Sequence, residues 1–252
     1  VDGPFSISVD YDIVSTEGVL NDGGQHGANL EEAIITYDFG NGFSMTGGKM
    51  LTYMGFEAYD PPNMYQYSYA YDILGAQDIY DAYDDGISID YGSDMFSLGF
   101  FASAETDGGY EYAFAFTGID NLTFKAIYAD WDQLDADSYE KSTFWVSYAM
   151  DNLLLAAEVA EADYTDTTKP DIEGWLIMAN YGFSDAVALT VRYSEQTIGS
   201  EEEQNYEKFT ISPSYVFTDS IAGLVEYSMY DNEGETSIDK NDLFAVELIF
   251  TF

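Results

Sequence analysis

The stretch Leu243-Phe244-Ala245-Val246-Glu247-Leu248-Ile249-Phe250-Thr251-Phe252 decides the fold. Side chains alternate across an extended strand with period two. Phe244, Val246, Leu248, Phe250 and Phe252 therefore share one wholly apolar face. Leu243, Ala245, Glu247, Ile249 and Thr251 share the other, which is mixed and carries a charge. The rest of the chain must explain what covers the apolar face.

The same alternation recurs upstream. Large apolar faces read Tyr110, Tyr112, Phe114, Phe116; Phe144, Val146, Tyr148; Val187, Leu189, Val191, Tyr193; and Phe209, Ile211, Tyr215, Phe217. The opposite faces are small and polar: Ser6, Ser8; Ser44, Thr46; Ala113, Ala115, Thr117; Ala186, Ala188, Thr190; Ser212, Ser214. A soluble sandwich or barrel buries its large residues and wets the small ones. Side chains this small cannot fill a wide barrel, so the pattern predicts an inside-out one, with lipid outside and water within. An extracellular β-sandwich or solenoid with an aromatic core is the alternative.

Connection lengths weigh against that alternative. The rhythm predicts about fourteen strands in one domain over residues 1–252, most of them about 9–13 residues long. Short turns, such as Gly40-Asn41-Gly42 and Asp151-Asn152, alternate with longer connections, as in up-and-down outer-membrane barrels. Gly47-Gly48-Lys49 reads as a bulge that turns Lys49 toward the interior. The long connection 54–83, with seven Tyr and Asp60-Pro61-Pro62, breaks the rhythm, and such segments are commonly functional.

Composition sets further bounds. There are 47 acidic and 7 basic residues, a formal net charge of -40, which excludes nucleic acid as a partner. The absence of cysteine excludes disulfides and thiolate metal sites. A 17% aromatic content is too high for a disordered acidic tail. Val1-Asp2-Gly3 lacks the features of a signal peptide, so the expectation is that any export signal has been removed.

The aromatic ending and the hairpin rhythm, which span essentially the whole chain, resemble Gram-negative outer-membrane β-barrels of the porin type. More narrowly, Gly47-Gly48-Lys49 followed by Asp60-Pro61-Pro62-Asn63-Met64-Tyr65 resembles a class of small β-barrel porins. The resemblance implies an outer-membrane location and a water-filled channel for small hydrophilic solutes and ions. It implies that Phe250 and Phe252 are read by the barrel-assembly machinery. Asp60, Pro61, Pro62 and Tyr65 would belong to a constriction loop folded into the lumen. Outer-membrane lipid and lipopolysaccharide would surround the barrel, and a homotrimer is compatible with it. The chain departs from general porins in lacking an arginine cluster opposite that loop.

The register places nine acids inside: Asp10, Asp12, Glu32, Asp38, Asp90, Glu111, Glu158, Glu226 and Glu247. It also places four bases there, Lys49, Lys125, Arg192 and Lys208, with Arg192 and Lys49 the candidates for the constriction wall. Carboxylate-lined pores favour cations. The outer connections are rich in acid, including Asp132, Asp135, Asp137, Asp231 and Glu233. A solvated acidic rim is the favoured reading there, and bound Ca²⁺ the alternative. His26, the only histidine, reads as part of a glycine-rich loop, and no catalytic constellation is evident. A structural barrel that anchors a surface layer or filament through its acidic loops is the rival to a channel.

Overall fold

The computed structural model describes residues 4–15, 26–57, 64–73, 79–80, 83–104, 108–131, 138–165, 169–199, 204–233 and 241–251; at 10–15, 26–29 and 232–233 it describes backbone alone. The chain forms fourteen strands. They are β1 (Phe5–Ser15), β2 (His26–Gly40), β3 (Phe43–Leu51), β4 (Tyr83–Gly92), β5 (Phe96–Ser103), β6 (Tyr110–Ile119) and β7 (Leu122–Trp131). They continue as β8 (Tyr139–Met150), β9 (Leu153–Tyr164), β10 (Ile172–Gly182), β11 (Val187–Ile198), β12 (Gln204–Thr218), β13 (Ile221–Glu233) and β14 (Leu243–Phe250). Each pairs antiparallel with its chain neighbours, so one ladder runs from β1 to β14 in sequence order.

The short turns follow from local chemistry. Gly40, Asn41 and Gly42 have φ of 77°, 55° and 83°, left-handed values that L side chains other than Asn and Asp avoid. A Cβ on Gly42 would stand 2.2 Å from the carbonyl oxygen of Gly92, whose N–H donates to Gly42 O at 2.8 Å. Asn121 (φ 64°) and Asp151 (φ 51°) make the same kind of turn elsewhere.

The two faces have inverted polarity. On β14, Phe244 is 67% and Val246 63% exposed, while Glu247 on the other face is half-buried. Ile7, Val9, Ile35, Ile87, Ile89, Leu155, Val159 and Ile177 make an exposed aliphatic belt on the outer face. Aromatic groups flank it: Phe43 against Tyr91 and Tyr215 against Phe217 at the short-turn end, Phe100 against Tyr112 and Trp175 against Tyr193 toward the other. Belts of this kind, aliphatic at mid-height and aromatic at both margins, match a bilayer's interior and its interfaces.

The inner face departs from expectation. It was expected to be small, polar and wet. Its half toward the long connections instead carries two apolar clusters. One gathers Met50, Met54, Phe101, Ile127, Ala129 and Trp131. The other joins Ala156, Ala160, Ile172, Leu176 and Met178 of the wall to Tyr71, Ile73, Ile79 and Tyr80 of the 52–82 connection. The described residues of that connection lie inside. They hydrogen-bond β4 through Tyr53 and β13 through Ser68, so the sheet curls around them.

Two local readings are corrected. No bulge occurs at Gly47-Gly48-Lys49: β3 stays in continuous register with β4, and the irregularities lie in β2, at the positions facing Asp10/Tyr11 and between Asp38 and Gly40. Uninterrupted alternation puts Lys49 on the outer face with Phe43 and Met45, opposite Asp85, and turns Met50 inward. His26 is not in a loop; it opens β2, paired with Ser15.

Candidate functional site

The candidate site is the interior, built by the 52–82 segment and the wall that holds it. A segment without a ladder of its own must find acceptors for its backbone N–H groups. Here the wall supplies carboxylates. Tyr53 N donates to Glu111 Oε2 at 2.9 Å, Phe56 N to Glu158 Oε1 at 3.1 Å and Ser68 N to Glu226 Oε2 at 2.9 Å. Ile73 N donates to Gln196 Oε1 at 3.2 Å, and Gly55 N to Thr143 Oγ1 at 3.3 Å. Tyr80 and the Ser68 hydroxyl donate to Glu158 and Glu226 respectively. Three expected pore-lining acids, Glu111, Glu158 and Glu226, are thus sealed beneath the segment; Glu111 and Glu226 are 0% exposed.

The bases are sequestered in the same way. Arg192, 0% exposed, forms an ion pair with Glu57 of the segment. Its guanidinium also donates to Ser68 O at 2.8 Å, Tyr69 O at 3.2 Å and Thr210 Oγ1 at 3.2 Å. Glu57 further accepts from Gln66 Nε2 at 2.6 Å and Ala70 N at 2.7 Å. Lys208 Nζ reaches Ser68 Oγ, Tyr69 O and Asp72 Oδ2, each at 2.7 Å. Buried charges are tolerated only when paired and hydrogen-bonded, and both bases meet that condition.

Lys125 reaches more open space. Its Nζ donates to Tyr53 O at 3.2 Å, and it lines a cavity of about 390 Å³ with Tyr53, Asp90, Ser44, Ser97 and Gly99 near the short turns. Asp90 accepts from Tyr53 Oη at 2.6 Å and Ser88 Oγ at 2.8 Å. Burial, then the bond to Asp90, hold the Tyr53 phenol well above its ordinary pKa. Burial also raises the Tyr65 phenol; Tyr65 is 38% exposed, and its carbonyl accepts from Thr190 Oγ1 at 3.0 Å.

The remaining expected residues fall as follows. Glu32 and Glu247 are half-buried on the inner face. Asp38 is exposed at the sheet margin, where its Oδ1 caps the turn at Gly40 N, 2.7 Å away. The side chains of Asp10 and Asp12, and all of Asp60, Pro61, Pro62 and Phe252, lie outside the described residues. Phe250 is exposed on the outer face. Of the acids named for Ca²⁺, Asp132, Asp135, Asp137 and the Glu233 side chain lie outside the described residues, and Asp231 is exposed. Among the described residues no group of three potential ligands could hold a metal ion.

Sequence reading missed Glu57, Ser68, Asp72, Tyr80 and Gln196. Two of these had a usable signal: an inward arginine and lysine call for acid partners, and the 52–82 segment carries Glu57 and Asp72.

An up-and-down sheet with an apolar belt outside and paired charges buried on its inner face has the architecture of an outer-membrane β-barrel, that of Gram-negative outer-membrane proteins. The comparisons agree. A loop-deleted OmpT of Vibrio cholerae superposes with a TM-score of 0.71 at 16% identity, covering 89% of this chain and 80% of that one. OmpF of Salmonella typhi, in complex with daunomycin, gives 0.69 at 17%, covering 88% and 78%. The anion-selective porin of Comamonas acidovorans gives 0.67 at 12%, covering 88% and 76%. At these identities the likeness is one of fold. No family model and no curated protein matches the chain.

Proposed function

We propose that the protein is an outer-membrane porin, a non-enzymatic channel that passes small hydrophilic solutes and ions and prefers cations. The observation that carries this reading is the unequal fate of the inward charges. Arg192 and Lys208 are covered and paired by the inner segment, whereas Glu32 and Glu247 keep partial exposure on the inner face. Water along β2, β13 and β14 therefore meets carboxylates, and Lys125 shares its cavity near the short turns with Asp90. At an effective dielectric of about 20, such charges act on a passing ion with a few kcal/mol at contact. Salt screens them within about 8 Å at physiological strength. The preference is accordingly moderate and strongest in dilute salt. Reversal potentials across a KCl gradient test it: a cation-selective sign that weakens with ionic strength is expected, and an anion-selective sign overturns it.

A homotrimer is consistent with this reading; one OmpT structure of Vibrio cholerae is described as a trimer form. One observation favours the rival, a structural barrel whose acidic loops anchor a surface layer: the apolar clusters fill part of the interior as a plug would. Single-channel conductance separates the two, because a plugged barrel passes almost no current.

A further inference from the structure

A second interior cavity, of about 470 Å³, opens between the inner segment and the faces of β13 and β14. Met64, Tyr67, Tyr69, Tyr230 and Leu243 make its apolar wall, and Asp72, Asp242 and Glu247 its acidic one. The three carboxylates are not equivalent. Asp72 already accepts from Lys208 Nζ and Tyr230 Oη, both at 2.7 Å. Asp242 accepts from Tyr227 Oη at 2.7 Å and Tyr230 N at 3.3 Å. Glu247 Oε2 is buried and has no hydrogen-bond partner among the described residues. Lys208 commits its ammonium to Ser68, Tyr69 and Asp72 and sits 4.9 Å from the centre of the Tyr230 ring, and Arg192 is paired with Glu57.

We infer that this cavity is a binding subsite for a compact organic cation, of the alkylammonium or guanidinium class, on the path of solutes through the channel. The inference deepens the porin reading by naming a solute class. Three phenol rings, a thioether and one unspent carboxylate recognise a charge wrapped in methyl or methylene groups. Ring faces attract such cations, and carboxylate attraction adds to this in a half-dry cavity. Hard metal ions are a poor fit, since Ca²⁺ asks for six to eight oxygens and Mg²⁺ for an octahedral set. Anions are repelled by Glu247, and neutral solutes gain only the apolar part. The intrinsic pairing of Lys208 with the Tyr230 ring is the same interaction made internally.

The test uses purified, folded protein in micelles of an uncharged glucoside, so that no detergent head group competes. Saturation-transfer NMR follows the methyl protons of tetramethylammonium chloride at constant ionic strength, with tert-butanol as the uncharged control. Wild-type protein is expected to show saturable binding of the cation and none of the alcohol. Glu247→Gln and Tyr67→Leu are each expected to weaken it tenfold or more. Tyr67 is about half exposed, so its variant keeps the barrel intact, which a heat-modifiable folded band on a gel verifies. Non-saturable binding, or binding unchanged in both variants, overturns the inference. Bilayer currents recorded on the same preparation keep the two readings apart. Current without cation binding sinks the subsite alone, and binding without current sinks the porin reading while the subsite stands.

Discussion

At the scale of the residue, Arg192 shows how this interior works. Its guanidinium clamps Glu57 and two backbone carbonyls, Ser68 O and Tyr69 O, so a single wall side chain ties residue 57 to residues 68 and 69. Removing one member of such a buried pair strands the other, at a cost of about 3–5 kcal/mol. We predict that Arg192→Met frees residues 64–73 from the wall while leaving the strands in place. Hydrogen exchange of those amides is then expected to speed up at least a hundredfold, and Arg192→Lys is expected to fall between, since lysine keeps the charge but not the fork. Unchanged exchange in the methionine variant sinks the clamp. Arg192 was legible as an inward residue from period two alone. Its partner was not, because the pairing joins positions 135 residues apart, and nothing local in the sequence encodes that contact. Lys49 failed for the opposite reason. A Gly-Gly pair suggested a bulge, yet Gly48 reaches φ of 130° without breaking the register.

At the scale of the element, hairpins and inner segment differ in how they were encoded. The hairpins rest on short-range chemistry, positive φ at Asn and Gly flanked by alternating strands, and so their turns could be placed from sequence. The segment rests on wall acceptors 37 to 158 residues away, which only the curled sheet brings together. Glycine gives it room: a Cβ on Gly174 would stand 2.5 Å from the Tyr71 ring. Leu51 and Tyr83 are already cross-strand partners, so a turn of about four residues can replace the whole segment without disturbing β3 or β4. Such a deletion uncovers Arg192 and Lys208 along with Glu111, Glu158 and Glu226. Larger single-channel conductance is expected, with the cation preference retained, because three carboxylates are uncovered against two bases. Unaltered conductance means that the segment does not narrow the path, and a reversal to anion preference means that the uncovered bases outweigh the uncovered acids.

At the scale of the whole molecule, the inverted polarity is the property most fully legible, since it depends on nothing beyond period two and residue size. What remained hidden was that half of the interior is apolar too. Ile127, Trp131, Leu176 and Met178 alternate out of phase with the belt and read as an interruption until the segment that covers them is in place. The polarity makes an asymmetric demand on substitutions. Val246 lies on the lipid side of β14, opposite Val225 at mid-strand. An arginine there loses its hydration to hydrocarbon, at a cost of about 2–4 kcal/mol near the bilayer midplane. Ser97 lies on the inner face of β5, exposed beside Asp90 and Lys125 in the short-turn cavity, where an arginine stays wet. Val246→Arg is therefore expected to lower unfolding stability in lipid vesicles by that amount and to leave ion selectivity alone. Ser97→Arg is expected to cost less than about 1 kcal/mol and to shift the reversal potential toward anions, because it adds a base where water is present. Equal destabilisation by the two, or tolerance of arginine at 246, would mean that the exposed aliphatic belt does not face lipid.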